Sequence, residues 1–138
     1  MTVLVEQDPA RKAALESGTR PGQGDAPEIA GDARNVDIKT ALRLIETLPD
    51  LVVLDVRMPV EYSGHRLRKS INLDFYSDDF EQQLARLDRQ ASYLVYCRSG
   101  GRSAFTMEIM NELGFVDFVH MPEGIEGWIE AGLPYINE

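Results

Sequence analysis

From Asn35 onward, hydrophobic positions alternate between short uninterrupted apolar runs and segments in which apolar residues recur every three or four positions. Val36 can end a short strand, and Asp37 can cap a helix whose Ile38, Ala41, Leu42, Ile45 and Leu48 share one face before Pro49-Asp50 stops it. Leu51 to Leu54 is a continuous apolar run, the pattern of a parallel strand buried on both faces, and Asp55 and Arg57 follow at its carboxyl end. Pro59 to Tyr62 reads as one helical turn, Gly64-His65 turns the chain, and Ile71 to Leu73 suits a short strand. Ser77-Asp-Asp79 then opens a helix with Phe80, Leu84 and Leu87 on one face. Tyr93 to Tyr96 predicts a second buried strand, Ser99-Gly100-Gly101 breaks it, and Ser103 opens a helical pattern through Phe105, Ile109, Met110 and Leu113. Gly114 is a natural helix stop, Phe115 to His120 is the next strand, and a last helix runs around Ile125 to Ala131, closed by Gly132 and Pro134. Trp128, one turn into that helix, is expected in the core rather than as a substrate platform. Strands alternating with helices through short loops predict a parallel, twisted α/β sheet with right-handed crossovers.

The stretch 1–34 has a different composition. Asp8-Pro9 suits the start of a short helix through Leu15, halted by Ser17-Gly18, and Gly18 to Gly31 is rich in Gly, Pro, Ala and Asp. This predicts an N-terminal tail or linker over 1–34 and one folded domain over 35–138. A docking role for the tail would rest on Val3-Leu4-Val5 alone.

A chain of 138 residues with 43% hydrophobic content supports a single core. Its net charge of −9 argues against nucleic acid and against an anionic membrane surface. No apolar run reaches the ~18 residues of a membrane span, and Met1-Thr-Val-Leu-Val-Glu-Gln7 lacks a basic segment followed by a long apolar one. The expectation is a cytoplasmic protein without a membrane partner. One cysteine excludes a disulfide within the chain and leaves no second thiol to resolve chemistry at the first. Two histidines and that cysteine show no ligand spacing, so neither a metal nor a cofactor is expected.

Candidate chemistry concentrates where the second buried strand ends, at Cys97-Arg-Ser-Gly-Gly-Arg-Ser103. A loop entering a helix there brings amide donors and the helix amino end to one point, and Arg98 and Arg102 add positive charge. All three influences favour the thiolate, the nucleophilic form of cysteine. Gly100 and Gly101 allow the backbone to curl around the sulfur or its substrate. A core cysteine needs neither two arginines nor a Gly-Gly beside it.

Four motifs in order, Leu54-Asp-Val-Arg57, Gly64-His65 with Ser70-Ile-Asn72, Cys97 to Ser103, and Gly124-Ile-Glu-Gly-Trp128, resemble a single-domain rhodanese over about Val36 to Tyr135. The resemblance implies a rhodanese-like fold, a five-stranded parallel sheet flanked by helices on both faces. It also implies a sulfurtransferase in which Cys97 carries a persulfide, taking sulfane sulfur from thiosulfate or another small anionic persulfide donor and giving it to a thiol or cyanide. Arg98, Ser99, Gly100, Gly101, Arg102 and Ser103 would bind the donor. Asp55, Arg57 and His65 would hold structure near the site, with Arg57 paired to Asp55 or Glu61, and His120 is likewise expected to be structural. A second reading is a sulfur carrier or interaction module whose donor and acceptor are proteins. A cysteine phosphatase is disfavoured, because Cys-x4-Arg is one residue shorter than the Cys-x5-Arg loop those enzymes resemble. The chain departs from the family's usual Gly-His-Ile-x-Gly-Ala at Arg66, Arg68 and Lys69, a basic turn read as solvated, with an acidic partner or anionic donor as the sharper alternative.

Overall fold

A computed structural model describes residues 34–137. The expectations for residues 1–33 lie outside the described residues.

Four parallel strands form one sheet in the order β2-β1-β3-β4: β1 (Val52–Asp55), β2 (Ser70–Asn72), β3 (Ser92–Tyr96) and β4 (Asp117–His120). The helices are α1 (Ile38–Thr47), α2 (Pro59–Gly64), α3 (Phe80–Ala85), α4 (Gly101–Leu113) and α5 (Gly124–Glu130). The expected fifth strand is reduced to a single parallel bridge from Asn35 to His120, with the Val36 amide donating to the His120 carbonyl at 3.0 Å. The reason is local: Asp37 caps α1 through the Thr40 amide at 2.8 Å, so the chain turns into a helix before a second rung can form.

Alternating side chains of the central strands serve two cores, as a sheet covered on both faces requires. Leu54, Tyr93 and Val95 pack with Phe80 and Leu84 of α3 and Ile109 and Met110 of α4. Val53, Leu94 and Tyr96 pack with Ala41 and Ile45 of α1 and Ile125 and Trp128 of α5. Trp128 is buried, and its indole N–H donates to the Pro134 carbonyl at 2.9 Å.

From β1 the chain crosses outward to β2, then returns to the opposite side of β1 to make β3. The strand order therefore reverses between β1 and β3. Carboxyl-end loops diverge at such a point and leave a crevice. Asp55 closes β1 there, and Cys97 follows β3.

Candidate active site

Beneath the crevice is a fully buried ion pair. The Arg57 guanidinium meets the Asp55 carboxylate through Nε (3.0 Å) and Nη2 (2.8 Å), and Nη2 also donates to the His65 carbonyl at 2.5 Å. The Asn72 side chain donates to the Asp55 and Arg57 carbonyls, both at 3.0 Å. These bonds tie the end of β1 to the turn before β2, and both carboxylate oxygens and the Nε and Nη2 of the guanidinium find partners, as burial demands. The His65 carbonyl makes the hydrogen bond, while its ring packs edge-on against Tyr135 at 5.8 Å between centroids.

Cys97 follows Tyr96, the residue of β3 that lies opposite Asp55. The Gly100 amide points at its sulfur from 3.1 Å and the Ser103 amide from 3.4 Å, with the Ser103 hydroxyl at 3.6 Å. The geometry follows from where the helix starts: α4 begins at Gly101, two residues ahead of the Ser103 start expected from periodicity, with Gly100 as its cap. Its first amides lack intrahelical acceptors, and the sulfur lies where they converge.

The conformation has a strict requirement at Gly100. Its φ is 105°, and a Cβ there would overlap the Pro122 carbonyl oxygen. Gly101 carries no such demand, since a Cβ on it would meet nothing within 4 Å. A second constraint comes from α5, whose first amides donate to the loop: Ile125 to the Cys97 carbonyl at 2.9 Å and Glu126 to the Arg98 carbonyl at 3.1 Å. Gly124 (φ 67°) permits this approach, because a side chain there would overlap the Arg98 carbonyl.

The residue Cys97 is only 1% exposed, yet it lines a cleft of about 400 Å³ together with Phe75, Tyr76, Ser99, Gly101, Arg102 and Phe105. The thiol is thus at the floor of an opening whose walls are aromatic and whose cation is Arg102. Arg102 is itself paired, through Nη1 to Glu61 Oε1 at 2.8 Å and Nη2 to Oε2 at 3.3 Å. That hydrogen-bonded guanidinium holds the Glu61 carboxyl below its ordinary range. Arg98 is not brought into the cleft: its Nε donates to Glu126 at 2.9 Å, with both side chains more than half exposed.

Three features escaped the sequence. Glu61, expected as one of two partners for Arg57, spans 41 positions to Arg102 instead, and Asp55 takes Arg57. Phe75, Tyr76 and Phe105 form walls, and of these only Phe105 had been placed at all, on the core face of its helix. His120, on β4, places Nδ1 3.0 Å from the Ser103 hydroxyl, and burial lowers its imidazole from the ordinary 6.5 to about 4. The basic turn is partly structural, since Lys69 Nζ reaches the Ile45 and Leu48 carbonyls at the end of α1 and the Arg66 guanidinium lies 5.0 Å from the Tyr62 ring centre. Among the described residues there is no His/Cys/Asp/Glu group arranged to hold a metal, and no helix is long and apolar enough to cross a membrane.

Fold and site together define an α/β domain that presents one thiol to convergent amides at the switch point of a parallel sheet. The family model described as Rhodanese-like domain matches residues 37–131, and the chain belongs to that family. A crystal structure of a rhodanese-related protein from Thermoplasma volcanium superposes with a TM-score of 0.67 at 31% identity, covering 76% of this chain and 99% of that one. The thiosulfate:glutathione sulfurtransferase of Saccharomyces cerevisiae is 27% identical over 95 residues, covering 61% of this chain and 68% of its own. Thiosulfate sulfurtransferase PspE of Escherichia coli is 30% identical over 78 residues, 54% of this chain and 75% of its own. Other curated relatives are longer, and the chain spans 48% of one and 21% of another.

Proposed function

We propose that the protein is a sulfurtransferase that carries sulfane sulfur as a persulfide on Cys97. The observation that carries this reading is the pair of amides, Gly100 and Ser103, aimed at a thiol on the floor of an open cleft. Donors held in place before reaction stabilise a thiolate and, after it reacts, the anionic terminal sulfur of a persulfide. The names of the yeast and Escherichia coli relatives support thiosulfate as a donor class.

With thiosulfate, the Cys97 thiolate attacks the sulfane sulfur, a new S–S bond forms, the donor's S–S bond breaks, and sulfite leaves with the electron pair. Arg102, partly shielded by Glu61, faces the anionic end of the donor, while Ser99 and Gly101 line its path. An acceptor thiolate then attacks the terminal sulfur, leaves as a persulfide, and restores the Cys97 thiolate in a ping-pong cycle. No proton has to be removed by a neighbouring base once the thiol is ionised. The cycle also has no internal outlet, because the chain holds no second cysteine.

Intact-mass measurement after incubation with thiosulfate tests the reading. The parent should gain one sulfur atom that cyanide removes, and Cys97→Ser should gain none. A parent that stays unloaded, or a loaded Cys97→Ser, overturns it. Repeated turnover with a small thiol separates an enzyme using small molecules from a carrier serving only protein partners.

A further inference from the structure

Resting on Cys97 as the sulfur-carrying nucleophile, we propose that His120 is a positioning residue that holds the Ser103 hydroxyl so that its proton is directed at the Cys97 sulfur. A serine hydroxyl has one proton and two lone pairs. Around Ser103 Oγ lie the Cys97 sulfur at 3.6 Å, which donates to it while the thiol is neutral and becomes an acceptor only as the thiolate, the Gly100 carbonyl at 3.2 Å, which accepts from it, and His120 Nδ1 at 3.0 Å. If Nδ1 carried no proton, the hydroxyl would be drawn to it and no hydroxyl donor would face the sulfur. With the proton on Nδ1, the imidazole donates to a Ser103 lone pair, and the hydroxyl proton is left to choose between a neutral carbonyl and an anionic sulfur. The anion is the stronger acceptor.

Placement is set by the fold. β4 pairs with β3 in a register that puts His120 opposite Val95, two residues before the thiol, and Ser103 arrives from the first turn of α4. Phe118, two positions earlier on the same face of β4, is apolar and fully buried, so space filling alone would not call for an imidazole beside it. Ser103 is 0% exposed and His120 5%, and water has little room to replace either partner. Burial keeps the imidazole uncharged at neutral pH, so it serves as a dipole with one N–H. The charges around the sulfur come from elsewhere: Arg102 on α4, Glu61 on α2 paired to it, and Arg98 held outward by Glu126. His120 acts through Ser103 and not as a base on the thiol, since the hydroxyl lies within bonding reach of both.

Because Cys97 is the only cysteine, alkylation of the whole protein by iodoacetamide reports this thiol alone, and its ultraviolet thiolate absorbance can be followed in parallel. His120→Leu should slow alkylation at neutral pH by about fivefold, the size of one net hydrogen bond, and lower the thiolate absorbance. Ser103→Ala should do the same, and adding His120→Leu to it should cause no further loss. His120→Asn, whose amide can reach the Nδ1 position, should stay within about twofold of the parent, whereas His120→Gln, with its amide one bond further out, should resemble His120→Leu. Should His120→Leu fail to fold, the Asn and Gln variants decide: equal rates in those two overturn the assignment, whichever rate it is. Undiminished alkylation in a folded His120→Leu, or an equal further loss in the Ser103→Ala background, also overturns it. These readouts need no sulfur donor, so they stand apart from the mass test of Cys97 loading.

Discussion

The two arginines of the loop differ in position, Arg102 where the loop enters α4 and Arg98 directly after the thiol, which makes them the sharpest test of how the cleft handles an anion. Arg102 lines the cleft with its side chain 16% exposed, while Arg98 is 62% exposed and spends its Nε on Glu126. A charge-assisted hydrogen bond to a bound anion contributes about 1.5–3 kcal/mol, so Arg102→Ala should lower kcat/KM for thiosulfate by roughly tenfold to a hundredfold. Two effects compete within that range. Arg102 already shares its charge with Glu61, which pushes the loss toward the lower end, but removing it leaves the Glu61 carboxylate unpaired at the mouth, which pushes it up. Glu61→Gln separates them: with the guanidinium released from its carboxylate, thiosulfate KM should fall, and the double variant should lose less than Arg102→Ala alone. Arg98→Ala removes an exposed ion pair of about 0–1 kcal/mol and nothing from the cleft, so its effect should remain within about threefold. The assay is single-turnover loading of Cys97 followed by mass, at low and at raised ionic strength. Equal losses for the two arginine variants would refute the assignment of anion binding to Arg102.

Gly124→Ala should destabilise the fold by about 2 kcal/mol or more and slow Cys97 loading, because the added methyl meets the Arg98 carbonyl in a left-handed backbone; unchanged chemical denaturation would contradict this. Asp55→Ala leaves the Arg57 guanidinium buried without its carboxylate, and urea unfolding should show a loss of about 3–5 kcal/mol, with a loss under 1 kcal/mol counting against the pair's role in holding β1. His120 binds a proton near pH 4 in the folded protein and near 6.5 when unfolded, so between these values the unfolded chain holds the extra proton. Stability present above pH 6.5 should therefore fall as pH drops toward 4, by up to about 3 kcal/mol, and His120→Asn should remove that part of the slope in denaturation measured across the interval.

Much was legible before any coordinates. The α1 face, the two buried strands, the short helix after Pro59 and the placement of Cys97 at the end of β3 follow from spacing, because burial on one face or two imposes its own period on the chain. Cys97, with its glycines and arginines, is a contiguous motif, and contiguous motifs are what a sequence displays. α4 starts two residues before Ser103 because glycine weakens a helical pattern without forbidding it, and the amides of its cap, Gly100, and of Ser103 find the sulfur. The fifth strand that the resemblance implies shrinks to one bridge at Asn35, because the single apolar Val36 is followed at once by the Asp37 cap of α1.

What only the tertiary structure decided is who faces whom. Glu61 meets Arg102 across 41 positions, His120 meets Ser103 across 17, and α5 brings its amides to the carbonyls of Cys97 and Arg98. Each of these depends on strand order and on the crossover of the chain between β1, β3 and β4. Local periodicity encodes which side of an element is buried and leaves open which element lies against it. The chain alone therefore picked out the candidate nucleophile and the motif around it, and the packing of distant segments chose the charges and hydroxyl that surround it.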